Sequence, residues 1–139
     1  MAAPVDQGSF RTAMARFPGA VTIVTALQGG ERRGITATAV CSVTAEPPSL
    51  LVCLNRRTGT CAAVRETGMF NVNLLQGDGG PVAMRFAGAG GVTGPAKFAA
   101  GDWREDARGL PILRDAVVGF SCVVTECTDA GSHSIFIGR

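Results

Sequence analysis

Along residues 9–17 the apolar side chains Phe10, Ala13, Met14 and Phe17 recur three and four positions apart, the spacing of one helix face. Asp6 or Ser9 can cap the start of this helix, and Pro18-Gly19 ends it. The period then drops to two. Residues 20–27 alternate and are rich in β-branched side chains, Gly29-Gly30 makes a turn, and residues 34–42 continue as a second strand, so the pair predicts a hairpin. After the break at Glu46-Pro47-Pro48, residues 50–54 are apolar throughout, the mark of a strand covered on both faces within a sheet. Residues 60–66 predict a short helix stopped by Gly68, and residues 69–75 an alternating strand with Phe70, Val72 and Leu74 on one face. Another short helix is predicted over 81–87, followed by a glycine-rich mobile loop over 88–101. Beyond Trp103 and a turn at Arg108-Gly109, residues 116–126 alternate as a long strand, and residues 129–131 turn into a last strand over 132–138.

Six or so strands and two or three short helices, without strand-helix alternation, predict a mainly β fold: an antiparallel barrel rather than a doubly wound sheet. The 139 residues, 46% hydrophobic and 17% charged, make a single domain over 1–139 whose core needs no disulfide. The net charge is +2, with twelve Arg and the single Lys97 scattered among eleven acids, so bulk electrostatics argue against nucleic-acid binding. No apolar run approaches the ~20 residues of a membrane span. Residues 1–7 lack the basic and apolar regions of a leader, which predicts a cytoplasmic protein.

Cys41, Cys53, Cys61, Cys122 and Cys127 form no C-x-x-C pair, and the chain has one histidine, His133, so free thiols and no metal centre are expected. A cysteine nucleophile with His133 as base lacks a third, orienting group at any readable spacing. Gly88-x-Gly90-Gly91 is not a dinucleotide loop, because no strand precedes it and no helix follows. More informative is the run from Thr36 to Thr44, where four hydroxyls punctuate small apolar residues. Hydroxyls and backbone amides at a strand end can bind a phosphate or a heteroaromatic edge, and small side chains let a flat ring approach the backbone. The same run also reads as ordinary β-formers. In Asn55-Arg56-Arg57-Thr58, Arg56 either pairs with phosphate or solubilises a turn.

Read in order, the blocks FRTAMARFPGAVTIVTA (10–26), GITATAVCSVTAEPPSLLVCLNR (34–56), GMFNVNLL (68–75), AMRFAG (83–88) with KF (97–98), and GSHSIFIG (131–138) resemble the flavin reductase family, the NAD(P)H:flavin oxidoreductases of two-component monooxygenases. The run 36–44 and the small hydroxyl residue Ser132 before His133, where many other members carry Asp, are similar to the pyrimidine-utilisation FMN reductases in particular. The resemblance implies an antiparallel Greek-key split β-barrel, the FMN-binding split barrel, which forms a homodimer with flavin near the dimer interface. It implies that Thr36, Ala37, Thr38, Ala39, Cys41 and Ser42, with Val43 beside them, line the flavin; that Asn55 and Arg56 hold its ribityl-phosphate end; that Arg85 and Phe86 contribute from the short helix; and that His133 positions the nicotinamide without being an obligatory base. FMN or FAD is the implied flavin, NADH or NADPH the co-substrate, and a monooxygenase the transient partner. A non-enzymatic FMN-binding or electron-transfer module, or a purely structural protein, is the alternative. Family members continue for about 20 to 30 residues past the final strand, and without them a sheet edge would lie open.

Overall fold

The computed structural model describes residues 1–139. Asp6 caps α1 (Gln7–Met14), its carboxylate accepting from the Ser9 amide at 2.9 Å and the Ser9 hydroxyl at 2.6 Å. No residue of α1 is buried, so its apolar side chains Phe10 and Met14 face solvent. The strands are β1 (Thr22–Gln28), β2 (Glu31–Ala37), β3 (Val40–Ala45), β4 (Pro48–Asn55), β5 (Met69–Leu74), β6 (Trp103–Glu105), β7 (Pro111–Leu113), β8 (Val118–Ala130) and β9 (His133–Gly138). Two further helices are α2 (Gly59–Thr67) and α3 (Gly80–Phe86). No helix is long and apolar enough to cross a membrane.

Gly29 and Gly30, both at positive φ, supply the left-handed backbone of a tight turn, and β1 and β2 pair over seven positions from Thr22↔Ala37 to Gln28↔Glu31. The expected strand over 34–42 is not one strand. Its pairing with β1 ends at Ala37, Thr38-Ala39 crosses the gap, and a new strand, β3, begins at Val40 to pair with β4. The seven-stranded sheet runs β2-β1-β5-β8-β9-β4-β3 with every neighbour antiparallel. Its first and last strands are consecutive in the chain, so the sheet curls into a barrel split between β2 and β3. Cys53 N–H donates to the Ala39 carbonyl at 3.0 Å, which extends the β3–β4 pairing one step back into the Thr38-Ala39 linker. The predicted antiparallel split barrel is the observed architecture. The strand count exceeds the expected six because the second strand is divided and because β6 and β7, three residues each, pair as a separate ribbon.

The barrel interior holds Val24, Ala26, Val52, Leu54, Phe70, Val72 and Phe136, and α2 closes one end by inserting Cys61, Ala63 and Val64 into the same cluster. Thr58 caps this helix, accepting from Cys61 N–H at 3.2 Å, and Gly68, the stop expected from the sequence, ends it at φ 67°. A second layer covers the outside of β1, β2 and β5. Phe86, Phe98 and Trp103 pack with ring centroids 4.9 to 5.3 Å apart. A Cβ at Gly34 would stand 2.5 Å from the Phe86 ring, so glycine is what lets this layer sit on β2.

One expectation changes here, and β5 is covered on both faces. Residues 88–101, expected as a mobile loop, fold into 3-10 turns at Ala89–Gly91 and Gly94–Ala99, held by Lys97 Nζ on the carbonyls of Gly34 and Phe86. In β5 not only Phe70 and Val72 but also Asn71 and Asn73 are fully buried. Asn73 donates to the Ile23 carbonyl at 3.0 Å and accepts from Leu113 N–H at 2.9 Å, while Asn71 donates to Asp106 at 3.0 Å and accepts from Arg108 at 2.6 Å. Satisfied amides pin β6 and β7 to the sheet, so the face of β5 opposite Phe70 and Val72 is covered as well.

Candidate functional site

The linker Thr38-Ala39 separates strands that line two cavities of opposite character. Before it, Gly34 and Ile35 of β2 line a pocket of about 430 Å³ with Arg33, Arg57, Lys97 and the hydroxyl residues Thr58, Thr60 and Thr93. The residues around this pocket include three cations and no carboxylate. It lies at the start of α2, where the amides of Gly59 and Thr60 are not consumed by the Thr58 cap, so the helix adds its own positive end. Arg33 reaches the pocket across Gly59 and also pairs with Glu31 at 2.9 Å. Burial lowers the pKa of Lys97 below its usual value.

After the linker, Val40, Cys41 and Ser42 line a cavity of about 590 Å³ in the end of the barrel away from α2, with Leu50, Val72, Leu74 and Phe120. Its walls are mostly apolar. Both volumes fall in the range of about 300–1,000 Å³ typical of small-molecule sites. Five residue steps, Ile35 to Val40, connect the two linings, at most about 18 Å of extended chain.

The residues singled out from the sequence are distributed as follows. Cys41 and Ser42 line the apolar cavity, and Val43 is exposed beside it. Thr38 and Ala39 are exposed on the linker, whereas Ala37 points into the core and the Thr36 hydroxyl donates to the Ala83 carbonyl of α3. Asn55 ends β4 and accepts from Arg57 N–H at 2.9 Å. Arg56 does not line the cationic pocket: its guanidinium meets the Gly131 carbonyl at 3.2 Å and Asp129 at 3.5 Å. Arg85 is spent on the carbonyls of Lys97 and Ala96, at 3.1 and 2.6 Å, and Phe86 is fully buried in the aromatic layer. These last two shape the pocket wall from behind, because the segment they anchor carries Thr93 and Lys97.

His133 opens β9 opposite Asn55 and is exposed, with Nδ1 2.8 Å from the Ser132 hydroxyl. Nearby, Asp129 accepts from Ser134 at 2.7 Å and Arg65 at 2.6 Å, and these two bonds hold its carboxyl below the usual carboxylate range. All five cysteines are free, and burial raises Cys53, with a further push from Cys41 on the same strand pair. No three His, Cys, Asp or Glu side chains converge as a metal site.

Arg33, Arg57, Thr60, Thr93 and Lys97 were not singled out as a group from the sequence. The only local signal among them is Arg57-Thr58 after an apolar strand, because the rest of the pocket is gathered from across the chain.

A family profile described as the flavin reductase like domain matches residues 14–139. The chain belongs to the flavin reductase family. The reductase component of 4-hydroxyphenylacetate 3-monooxygenase from Pseudomonas aeruginosa is 40% identical over 131 residues, spanning 94% of this chain and 77% of that protein. FMN reductase (NADH) RutF of Ancylobacter novellus is 44% identical over 132 residues, spanning 94% and 71%. Among solved structures, the NADH:FAD oxidoreductase SgcE6 of Streptomyces globisporus, in complex with NAD and FAD fragments, superposes with a TM-score of 0.87 at 29% identity, covering 99% of this chain and 83% of that one. This flavin reductase domain thus shares the fold of its relatives across the strands that carry both cavities.

Proposed function

We propose that the protein is an NAD(P)H:flavin oxidoreductase that acts in the cytoplasm as a homodimer and supplies reduced FMN or FAD to a separate monooxygenase. The observation that carries this reading is the pairing of a cationic pocket with an apolar cavity along one short linker, in a chain of the flavin reductase family. A flavin nucleotide has the same two ends, an anionic phosphate and an apolar tricyclic ring. The donor set fits that molecule: guanidinium, ammonium, hydroxyl and helix amides for the phosphate, and small residues, Thr38, Ala39 and Cys41, where a flat ring needs close approach to backbone.

When both cofactors are bound, they supply the redox chemistry themselves, a hydride passing from nicotinamide to flavin. The protein's residues bind and orient. Arg57, Arg33 and Lys97 hold the phosphate end, with Thr60 adding a hydroxyl donor, while Thr58, whose hydroxyl donates to the Asn55 carbonyl, and Asn55, which accepts from Arg57 N–H, fix the turn that presents Arg57. Linker and β3, from Thr38 to Val43, receive the ring, and Thr36 and Ala37 hold that segment by bonding α3 and filling the core. His133 orients the nicotinamide from the neighbouring strand end. No titrating base is required, which accords with a pocket lined by two arginines and a lysine and by no carboxylate.

The dimer reading is supported by what the single chain leaves bare. Only 25 of 139 residues are buried, and Phe10, Phe17, Val118, Phe120 and Val123 are all large, apolar and exposed. A second copy covering β8 would also close the side of the apolar cavity that Phe120 lines.

The test is an anaerobic titration of the protein and FMN with NADH, read in the visible spectrum. Bleaching that depends on the protein supports the reading, and tight FMN binding without bleaching identifies a flavin-binding module instead. Arg57→Ala should raise the KM for FMN by about tenfold or more while leaving that for riboflavin, which has no phosphate, nearly unchanged.

A further inference from the structure

We infer that Arg56 is a positioning residue for His133, acting through the turn between β8 and β9 rather than on the flavin phosphate. The inference rests on the reading that His133 faces the nicotinamide, and it begins from where β4 ends. Asn55 is the last residue of β4 and lies opposite His133, so Arg56 extends the strand one step past the final rung of the ladder. Its backbone N–H donates to the Ser132 carbonyl at 2.9 Å, and its guanidinium donates to the Gly131 carbonyl at 3.2 Å and lies 3.5 Å from Asp129. Every one of these partners belongs to the four residues immediately before His133.

The far side of the turn is gripped too. Asp129 accepts from Arg65 of α2 at 2.6 Å and from the fully buried Ser134 at 2.7 Å. Gly131 occupies the left-handed region at φ 58°, so the turn between these anchors is a sharp one. Ser132, whose carbonyl Arg56 holds, places its hydroxyl 2.8 Å from His133 Nδ1 and leaves Nε2 free. A hydrogen bond on one ring nitrogen determines which nitrogen of a neutral imidazole carries the proton and how the ring is turned. Arg56 therefore controls the ring indirectly: it fixes the Ser132 backbone, which fixes the hydroxyl, which fixes the imidazole. Arg57, the next residue, points the other way into the cationic pocket, so two adjacent arginines serve the two ends of the reaction separately.

His133 is the only histidine in the chain, so its imidazole gives a single set of nitrogen-15 and ring-proton resonances that can be read without turnover. In the intact protein these should report one dominant tautomer. In Arg56→Ala they should move towards the averaged values of a free imidazole, in Arg56→Lys they should lie between the two, and the backbone amide spectrum should stay that of the folded barrel. Steady-state rates of the same variants should show the KM for NADH raised about three- to tenfold in Arg56→Ala, with FMN and riboflavin affected equally. Unchanged imidazole resonances in a folded Arg56→Ala overturn the inference, as does a loss confined to FMN over riboflavin, which would return Arg56 to the phosphate. If instead the resonances shift as expected while His133→Ala leaves the KM for NADH untouched, the structural link stands and the nicotinamide role of His133 is what fails.

Discussion

β5 and β8 are bonded to each other from Met69↔Val123 to Leu74↔Val118, yet they are covered differently. The four central residues of β5, Phe70 to Asn73, are at most 1% exposed, whereas within β8 only Cys122 is buried and Phe120 is 45% exposed. The difference follows the second layer. Outside β1, β2 and β5 lie α3, the 3-10 turns and the β6–β7 ribbon, held by the amides of Asn71 and Asn73 and by the Phe86, Phe98 and Trp103 cluster. Outside β8 this chain supplies nothing comparable. A strand that keeps large apolar residues on an uncovered face is suited to an intermolecular contact, and here the uncovered half is also the half that lines the apolar cavity.

Three experiments break or sharpen that contrast. The largest effect is expected from Phe86→Ala, which removes the centre of the covering layer, a ring 0% exposed. Urea or thermal unfolding should show a loss of about 3–5 kcal/mol, and a loss under ~1 kcal/mol would mean the layer contributes little.

Acid should next detach the ribbon. Burial acts to raise the pKa of Asp106, but hydrogen bonds from Asn71, from the Arg108 side chain and from the backbone N–H groups of Arg108 and Leu110 outweigh it, and the pKa settles at about 2. A carboxylate depressed in the folded state stabilises it above its unfolded pKa of 3.8, and that contribution is lost as pH falls from there through about 2. About 2 kcal/mol should disappear over this window, measured as the difference in unfolding midpoint between the unchanged chain and Asp106→Asn at each pH. Parallel curves for the two would show that Asp106 does not carry the acid sensitivity.

The smallest effect on the fold is expected on the bare half. Phe120→Ser should alter the stability of each chain by no more than about 0.5 kcal/mol, apart from what association itself contributes. Light scattering should nevertheless report monomer mass for this variant and, if the proposed dimer forms through β8, twice that mass for the unchanged protein. A variant that remains dimeric places the interface elsewhere.

Much of the fold was legible because its signals are local. Gly68 stops α2, Gly29-Gly30 turns the first hairpin, and the alternation in β1 is visible over a few residues. The break at Thr38-Ala39 was not legible, since the run 34–44 is made of small β-formers without a proline or an internal glycine; it occurs where β1 stops offering partners and β4 starts to. The burial of Asn71 and Asn73 was not legible either, because alternation records polarity, and a covered polar face carries the same pattern as a wet one. For the site, the run from Thr36 to Ser42 was marked by its hydroxyls and small side chains. Arg33, Thr93 and Lys97 could not be grouped with Arg57, because no periodicity links residues that meet only after the barrel curls.

The amino-acid sequence by itself determined which segments become strands and helices and which family the chain resembles, because hydrophobic period, caps and turn residues act over distances of a few residues. Only the tertiary structure decided where the positive charge collects and where apolar surface stays open. The side chains that make the cationic pocket come from β2, the start of α2 and the 3-10 segment, and their convergence depends on how seven strands close. Adjacent Arg56 and Arg57 carry identical chemistry in sequence; the direction of the backbone at the end of β4 sends one to the turn before His133 and the other to the pocket.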